Sequence, residues 1–182
     1  MTFYHFRPVD QLDWDQVFTY HELQRKIIVD FRQFPLWNPY ICGGEPWLAH
    51  PESDFLSPYT FLILVFGTFG GIIAIHFLQV LIGMLGMYYL SRHLNLSITL
   101  SLLNSVFFIA IFNILTYIGG FVLLNISLVP WIYLLFKKIG ENKNDLIYIS
   151  ILLTLLILSG AFYVFIIAFM IIALEVIGSY VI

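Results

Sequence analysis

The sequence predicts an all-α protein: a polytopic bundle of transmembrane helices preceded by a non-cytoplasmic loop that contains an amphipathic interface helix. Three observations predict it. Sixty per cent of the 182 residues are hydrophobic and ten per cent are charged, against about a quarter charged in soluble domains. Twelve charged side chains fall between Met1 and Asp54 and seven between Phe55 and Ile182, so a polar head precedes a lipid-compatible body. Within that body, apolar runs of about 20 residues, the length that crosses a bilayer, recur between short polar breaks.

The head is expected to occupy residues 1–57 as a first outer loop, and the membrane helices residues 58–182. Over residues 16–31 (QVFTYHELQRKIIVDF) Val17, Tyr20, Leu23, Ile27 and Phe31 recur at helical spacing while Glu22, Arg25 and Lys26 face away, an amphipathic helix. Such a helix lies flat in the membrane interface or packs on the rest of the protein, and the two are compatible. Residues 33–58 hold five prolines, a Gly pair and two tryptophans without periodicity, which predicts an ordered loop without regular structure. Trp37, Tyr40 and Trp47 suit the membrane interface.

Pro58 to Phe66 is too short to span and reads as a short helix leading into the membrane. Spans are expected at about 71–90, 98–118, 121–136, 146–158 and 160–182. The third is somewhat short and carries Pro130; the last two are divided at Ser159-Gly160, as two shortened helices or one long kinked one. Arg92 follows the first span, and Lys137, Lys138 and Lys143 follow the third, whereas Gly119-Gly120 carries no charge. The positive-inside rule therefore assigns the basic loops to the cytoplasm and residues 1–57 to the outside. The head agrees, with eight acidic and four basic side chains in residues 1–54.

Several function classes are excluded. A net charge of −3 without a basic run gives nucleic acid nothing to bind, and the single Cys42 forms no internal disulfide. The sequence contains no Walker loop, serine nucleophile elbow or zinc-protease helix. The chain opens on the polar MTFYHFRPVDQLDWDQ, unlike a cleavable signal peptide. With the head outside, a preceding helix is expected, and the chain is expected to be a fragment.

Candidate chemistry begins with Asp13 and Asp15. Two carboxylates one residue apart can share a divalent cation, or one can act as general base. Equally, Asp13 followed by Gln16 has the form of a helix capping box. His50, Glu52 and Asp54 make a second polar cluster, suited to a metal or substrate or simply to a solvated loop; Glu45 beside Gly43-Gly44 is a weaker candidate. In the apolar helices, His76, Gln79, Asn104, Asn113 and Asn125 are expected to hydrogen-bond between helices. Glu175 is costly at mid-membrane depth, but lies near the cytoplasmic surface if Gly160 breaks the chain into a hairpin.

The segment Phe34-Pro35-Leu36-Trp37-Asn38-Pro39-Tyr40-Ile41-Cys42-Gly43-Gly44, with Asp13-Trp14-Asp15 before it and Leu48-Ala49-His50-Pro51-Glu52-Ser53 after it, resembles the first outer loop of YfhO-like bacterial membrane proteins. These belong with the GT-C glycosyltransferases, among whose relatives are protein mannosyltransferases and aminoarabinose transferases. The likeness runs from about Asp13 to Leu90. It implies a multi-pass protein of the bacterial inner membrane that transfers a sugar from a polyprenyl phosphate donor to a cell-envelope acceptor at the outer face. By position, Asp15 or Asp13 would be the catalytic carboxylate, and a divalent metal ion, if one is used, would sit there. Trp37, Asn38, Tyr40, His50 and Glu52 would contact substrate. Membrane lipid and the remaining helices of a larger protein are the other implied partners. The family pattern has Asn and Gln where this sequence has His50 and Glu52. The alternatives are a non-catalytic membrane component binding a lipid-linked glycan or a partner in envelope assembly, and a small transporter.

Overall fold

The computed structural model describes residues 14–40, 43–48, 50, 53–139 and 144–181. It is mostly helical. Two helices, Thr60–His93 and the one beginning at Ile98, are long and apolar enough to cross a membrane.

Helix α1 (Trp14–Val29) forms the head. Its buried residues are His21, Gln24 and Ile27, whereas Val29 and Phe31 are exposed. The packed face thus keeps Val17, Tyr20 and Ile27 of the apolar stripe that the sequence suggests and is widened by His21 and Gln24, polar side chains that find buried partners. The following loop is not wholly irregular either: β1 (Trp37–Asn38) pairs antiparallel with β2 (Glu45–Pro46). Gly43 and Gly44, at φ 82° and 106°, reverse the chain between them in a region closed to most L residues.

Helix α2 (Thr60–His93) is broken at Gly67, whose φ of 74° and ψ of 171° are non-helical. The break folds the short arm back on the long one, and Ile63 lies so close to Gly71 that a Cβ there would come within 2.5 Å of the Ile63 Cα. Asn95, at φ 62°, ends the long arm: Asn95 N–H donates to Arg92 C=O and Leu96 N–H to Ser91 C=O, a Schellman cap. Helix α3 (Ile98–Gly119) then returns antiparallel. Asn104 Nδ2 donates to Ser91 Oγ (3.4 Å) towards one end, and His76 Nε2 meets Asn113 Oδ1 (3.0 Å) towards the other.

Residues Gly120–Leu128 form a 3₁₀ segment and Val129–Lys137 the helix α4, where a single span was expected. Pro130 lies in the first turn of α4, where its missing N–H costs no helical hydrogen bond. At about 2 Å rise per 3₁₀ residue and 1.5 Å per α residue, the two pieces reach roughly 30 Å. The tighter, more extended 3₁₀ winding therefore lengthens a stretch that would be short as a regular helix. This strand of the bundle runs alongside α2. Gln79 Nε2 donates to Asn125 Oδ1 (3.0 Å), Ser127 Oγ donates to Gln79 Oε1, and Trp131 Nε1 donates to Ile82 C=O (2.8 Å).

Helices α5 (Asp145–Leu158) and α6 (Phe162–Val181) are separate. Gly160 at φ 63° gives the break a second Schellman cap: Gly160 N–H donates to Ile157 C=O and Ala161 N–H to Leu156 C=O. α6 runs beside α4 in the same direction. Leu128 shares a buried cluster with Ala161 and Val164 at one end, and Glu175 is held by Tyr133 Oη and Lys137 Nζ at the other. The α5–α6 turn meets the head through a serine relay. Tyr59 N–H donates to Ser57 Oγ, and Ser57 Oγ lies 3.3 Å from Ser159 Oγ, which donates to Leu155 C=O.

One end of the bundle therefore gathers α1, the loop, the start of α2 and the α5–α6 turn; Arg92 and Lys137 mark the other. Phe66, Phe77, Leu81, Val106, Phe107, Ile114, Phe169 and Leu174 face outward from α2, α3 and α6, an apolar exterior of the kind that faces a membrane or a partner.

Gly71→Ala is expected to lower stability in detergent by about 1–3 kcal/mol, read as a lower thermal midpoint. Gly178→Ala, where an added Cβ meets nothing within 4 Å, should leave the midpoint unchanged or raise it.

Candidate functional site

The head is organised around Gln24. Its Nε2 donates to Thr60 Oγ1 (3.3 Å) and its Oε1 accepts from Trp47 Nε1 (3.3 Å). Thr60 Oγ1 in turn donates to the Asp54 carbonyl (2.9 Å). His21, one helical turn before Gln24, places Nδ1 3.5 Å from Asp54 Oδ1. α1, the loop and the first turn of α2 are thus joined by one buried polar network. Three rings lie over it: Trp47, only 1% exposed, stacks on His50 at 5.2 Å between centroids, and Tyr20 meets Trp47 (4.9 Å) and His50 (5.3 Å) edge-on.

Burial pushes the Asp54 carboxyl above its ordinary value of 3.8; neighbouring His21 and hydrogen bonds from its own backbone and Gln24 oppose the rise without cancelling it. Asp54 Oδ2 is buried with no hydrogen-bond partner among the described residues, which fits a group whose charged form is poorly solvated.

Asp15 stands apart from this network. It is exposed in the first turn of α1, where a negative charge suits the helix dipole, and its carbonyl accepts from Thr19 Oγ1 (2.7 Å). It lies on the rim of a groove of about 480 Å³ between α1, α2 and α3, whose walls include Trp14, Phe18, Ile73, His76, Phe77 and Tyr117. Asp13 lies outside the described residues, so neither the acidic pair nor the capping box enters this geometry.

The other candidates are arranged differently. Trp37 is exposed, its indole lying over Gly44. Asn38 is 1% exposed and its Oδ1 accepts from Tyr40 N–H (3.1 Å), a local turn bond of the kind Asn makes. Tyr40 is exposed, with Lys26 Nζ 5.2 Å above its ring. His50 borders a cavity of about 310 Å³ that Ser53 and Phe55 share with Ile157, Leu158 and Phe162 of the α5–α6 turn. Glu52 lies outside the described residues. Asp15 and His50 thus open onto different cavities, and Trp37, Asn38 and Tyr40 line neither.

Among the described residues no three His, Cys, Asp or Glu side chains gather as a metal site. The five polar residues in apolar helices pair as their chemistry requires: His76 with Asn113, Gln79 with Asn125, and Asn104 with Ser91. Sequence reasoning missed His21 and Gln24. Their spacing with Ile27 is helical, but hydrophobic periodicity ignores a buried face built from polar side chains.

No protein-family model, curated protein or solved structure matches the chain.

The Asp54 shift has a definite sign. A carboxyl raised in the folded state holds its proton more tightly there than in the unfolded chain, so stability falls as pH rises from about 3.8 through the folded value. The thermal midpoint in detergent should therefore decline across that acid range in the parent protein. In Asp54→Asn this component of the decline should vanish.

Proposed function

We propose that the chain is the N-terminal part of a GT-C-type glycosyltransferase of the bacterial inner membrane, with Asp15 as its general base at the outer face. The observation that carries this reading is the position of Asp15: a solvent-accessible carboxylate at the mouth of an apolar groove bounded by two helices long enough to span a membrane. A substrate carried on a lipid would reach such a carboxylate from the bilayer without leaving it. The orientation rests on the gathering of Arg92 and Lys137 at the end remote from the head. By the positive-inside rule that end is cytoplasmic and residues 1–57 face outward. Exposed Trp37 and Tyr40 suit the membrane–water boundary beside the head.

In the transfer, the acceptor hydroxyl oxygen forms a bond to the anomeric carbon as the bond from that carbon to the donor phosphate oxygen breaks. The hydroxyl proton passes to the Asp15 carboxylate, and the bonding pair leaves with the polyprenyl phosphate.

A second reading, a membrane component that binds a lipid-linked glycan or partner without turnover, draws on one observation. Asp15 and His50 open onto separate cavities, so the two strongest polar candidates do not converge on one reacting atom.

The two readings separate on transfer of labelled sugar from a polyprenyl-phosphate pool in membranes carrying the full reading frame. Asp15→Asn at equal membrane abundance should lose transfer by about 10²–10⁴-fold. Equal transfer by parent and variant would remove Asp15 from the chemistry, and no transfer by either would favour the binding component.

A further inference from the structure

The groove at Asp15 also carries information about what it holds. Its walls are aromatic and aliphatic, and the described lining residues include no cation; the charged group among them is the Asp15 carboxylate. A phosphate brought here would meet the like charge of Asp15. A neutral hydroxyl is in the opposite position, because a carboxylate is a strong acceptor for it.

Besides Asp15, the polar lining is His76, the Tyr117 hydroxyl and the Trp14 indole N–H; of these, the hydrogen bonding of His76 is fixed by its neighbours. Asn113 Nδ2 donates to the Ile109 carbonyl (2.9 Å), which sets the amide orientation and leaves Asn113 Oδ1 as acceptor. His76 Nε2, at 3.0 Å from that oxygen, must then carry a hydrogen and donate. The groove accordingly offers one charged acceptor, the Asp15 carboxylate, with the His76 imidazole beside it on walls that are mainly aromatic and aliphatic. A ligand that satisfies the carboxylate donates a hydrogen bond to it and buries hydrocarbon against the walls.

We infer that this groove binds an uncharged lipid bearing a free hydroxyl, held by Asp15 and positioned by His76. Under the transferase reading, on which this role rests, that lipid alcohol is the sugar acceptor and the phosphate-bearing donor lies outside the groove. The acceptor class is then a membrane-resident alcohol. A soluble glycan has no hydrocarbon to fill the walls.

Trp14 lines the groove and is a built-in reporter. The test uses the full chain in nanodiscs and three lipids with brominated acyl chains: diacylglycerol, its O-acetylated form and phosphatidic acid. Quenching that disappears in Trp14→Phe reports occupancy of this groove. Diacylglycerol is expected to quench at concentrations about ten-fold lower than either of the others, and Asp15→Asn and His76→Phe should each reduce that preference. Asp15 is exposed, so its amide variant tests the site without disturbing the fold. Equal quenching by all three lipids, preference for phosphatidic acid, absence of Trp14-dependent quenching, or selectivity that survives both variants would overturn the inference. The readout contains no sugar donor. Lipid selectivity without sugar transfer would keep this inference and sink the transferase reading, whereas Asp15-dependent transfer without lipid selectivity would do the reverse.

Discussion

The amide of Gln24 is the constraint on which the head depends. One side chain from α1 reaches both the tryptophan of the loop and the threonine that opens α2. Both bonds are buried, so neither donor nor acceptor has water as an alternative partner. Removing one member strands the others, and a stranded buried polar group costs about 1–3 kcal/mol. The His21–Asp54 contact and the stacked rings of Trp47 and His50 sit on the same frame. Asp54 does double duty there: its carbonyl accepts from Thr60, while burial raises the pKa of its carboxyl.

The bundle follows the same logic with different materials. Its helices meet through amides, hydroxyls and an imidazole placed singly in apolar stretches. Gln79 joins α2 to both Asn125 and Ser127, and His76 joins α2 to α3. In hydrocarbon such contacts are worth about 0.6–2 kcal/mol each, modest values whose larger effect is to fix register. A helix sliding by one turn would exchange every paired amide for an unpaired one. The groove at Asp15 lies where this register brings α2 and α3 together beneath the first turn of α1.

What could be read from the sequence depended on whether the signal was local. Gly160 with Ser159 marks a chain break on its own, and the two Schellman caps follow from residues within one helical turn. The amphipathic helix of the head was likewise legible as a helix, since five apolar residues repeat at its period. Its buried face was not, because His21 and Gln24 become interior residues only when Trp47, Asp54 and Thr60 arrive from elsewhere in the chain. The 3₁₀ winding of Gly120–Leu128 was hidden for a related reason: composition measures hydrocarbon, and pitch is set by neighbours. At the site, the sequence offered Asp15 as a carboxylate near an interface helix. It held no sign that His76, drawn from an apolar run, would share a wall with it.

The contact between Ser57 and Ser159 joins residues 102 positions apart, which bears on the order in which this protein is made. At a synthesis rate of about 5–20 residues per second, the loop waits roughly 5–20 s after its own translation before the hairpin that abuts it exists. During that interval the wall of the 310 Å³ cavity contributed by Ile157 and Phe162 is missing, and Phe55 and Leu48 face open surroundings. The nascent head is thus exposed to whatever other surfaces it meets during synthesis. That cavity is walled only when α5 and α6 close against the loop, so a ribosome stalled before residue 159 would leave the seam between them unsealed.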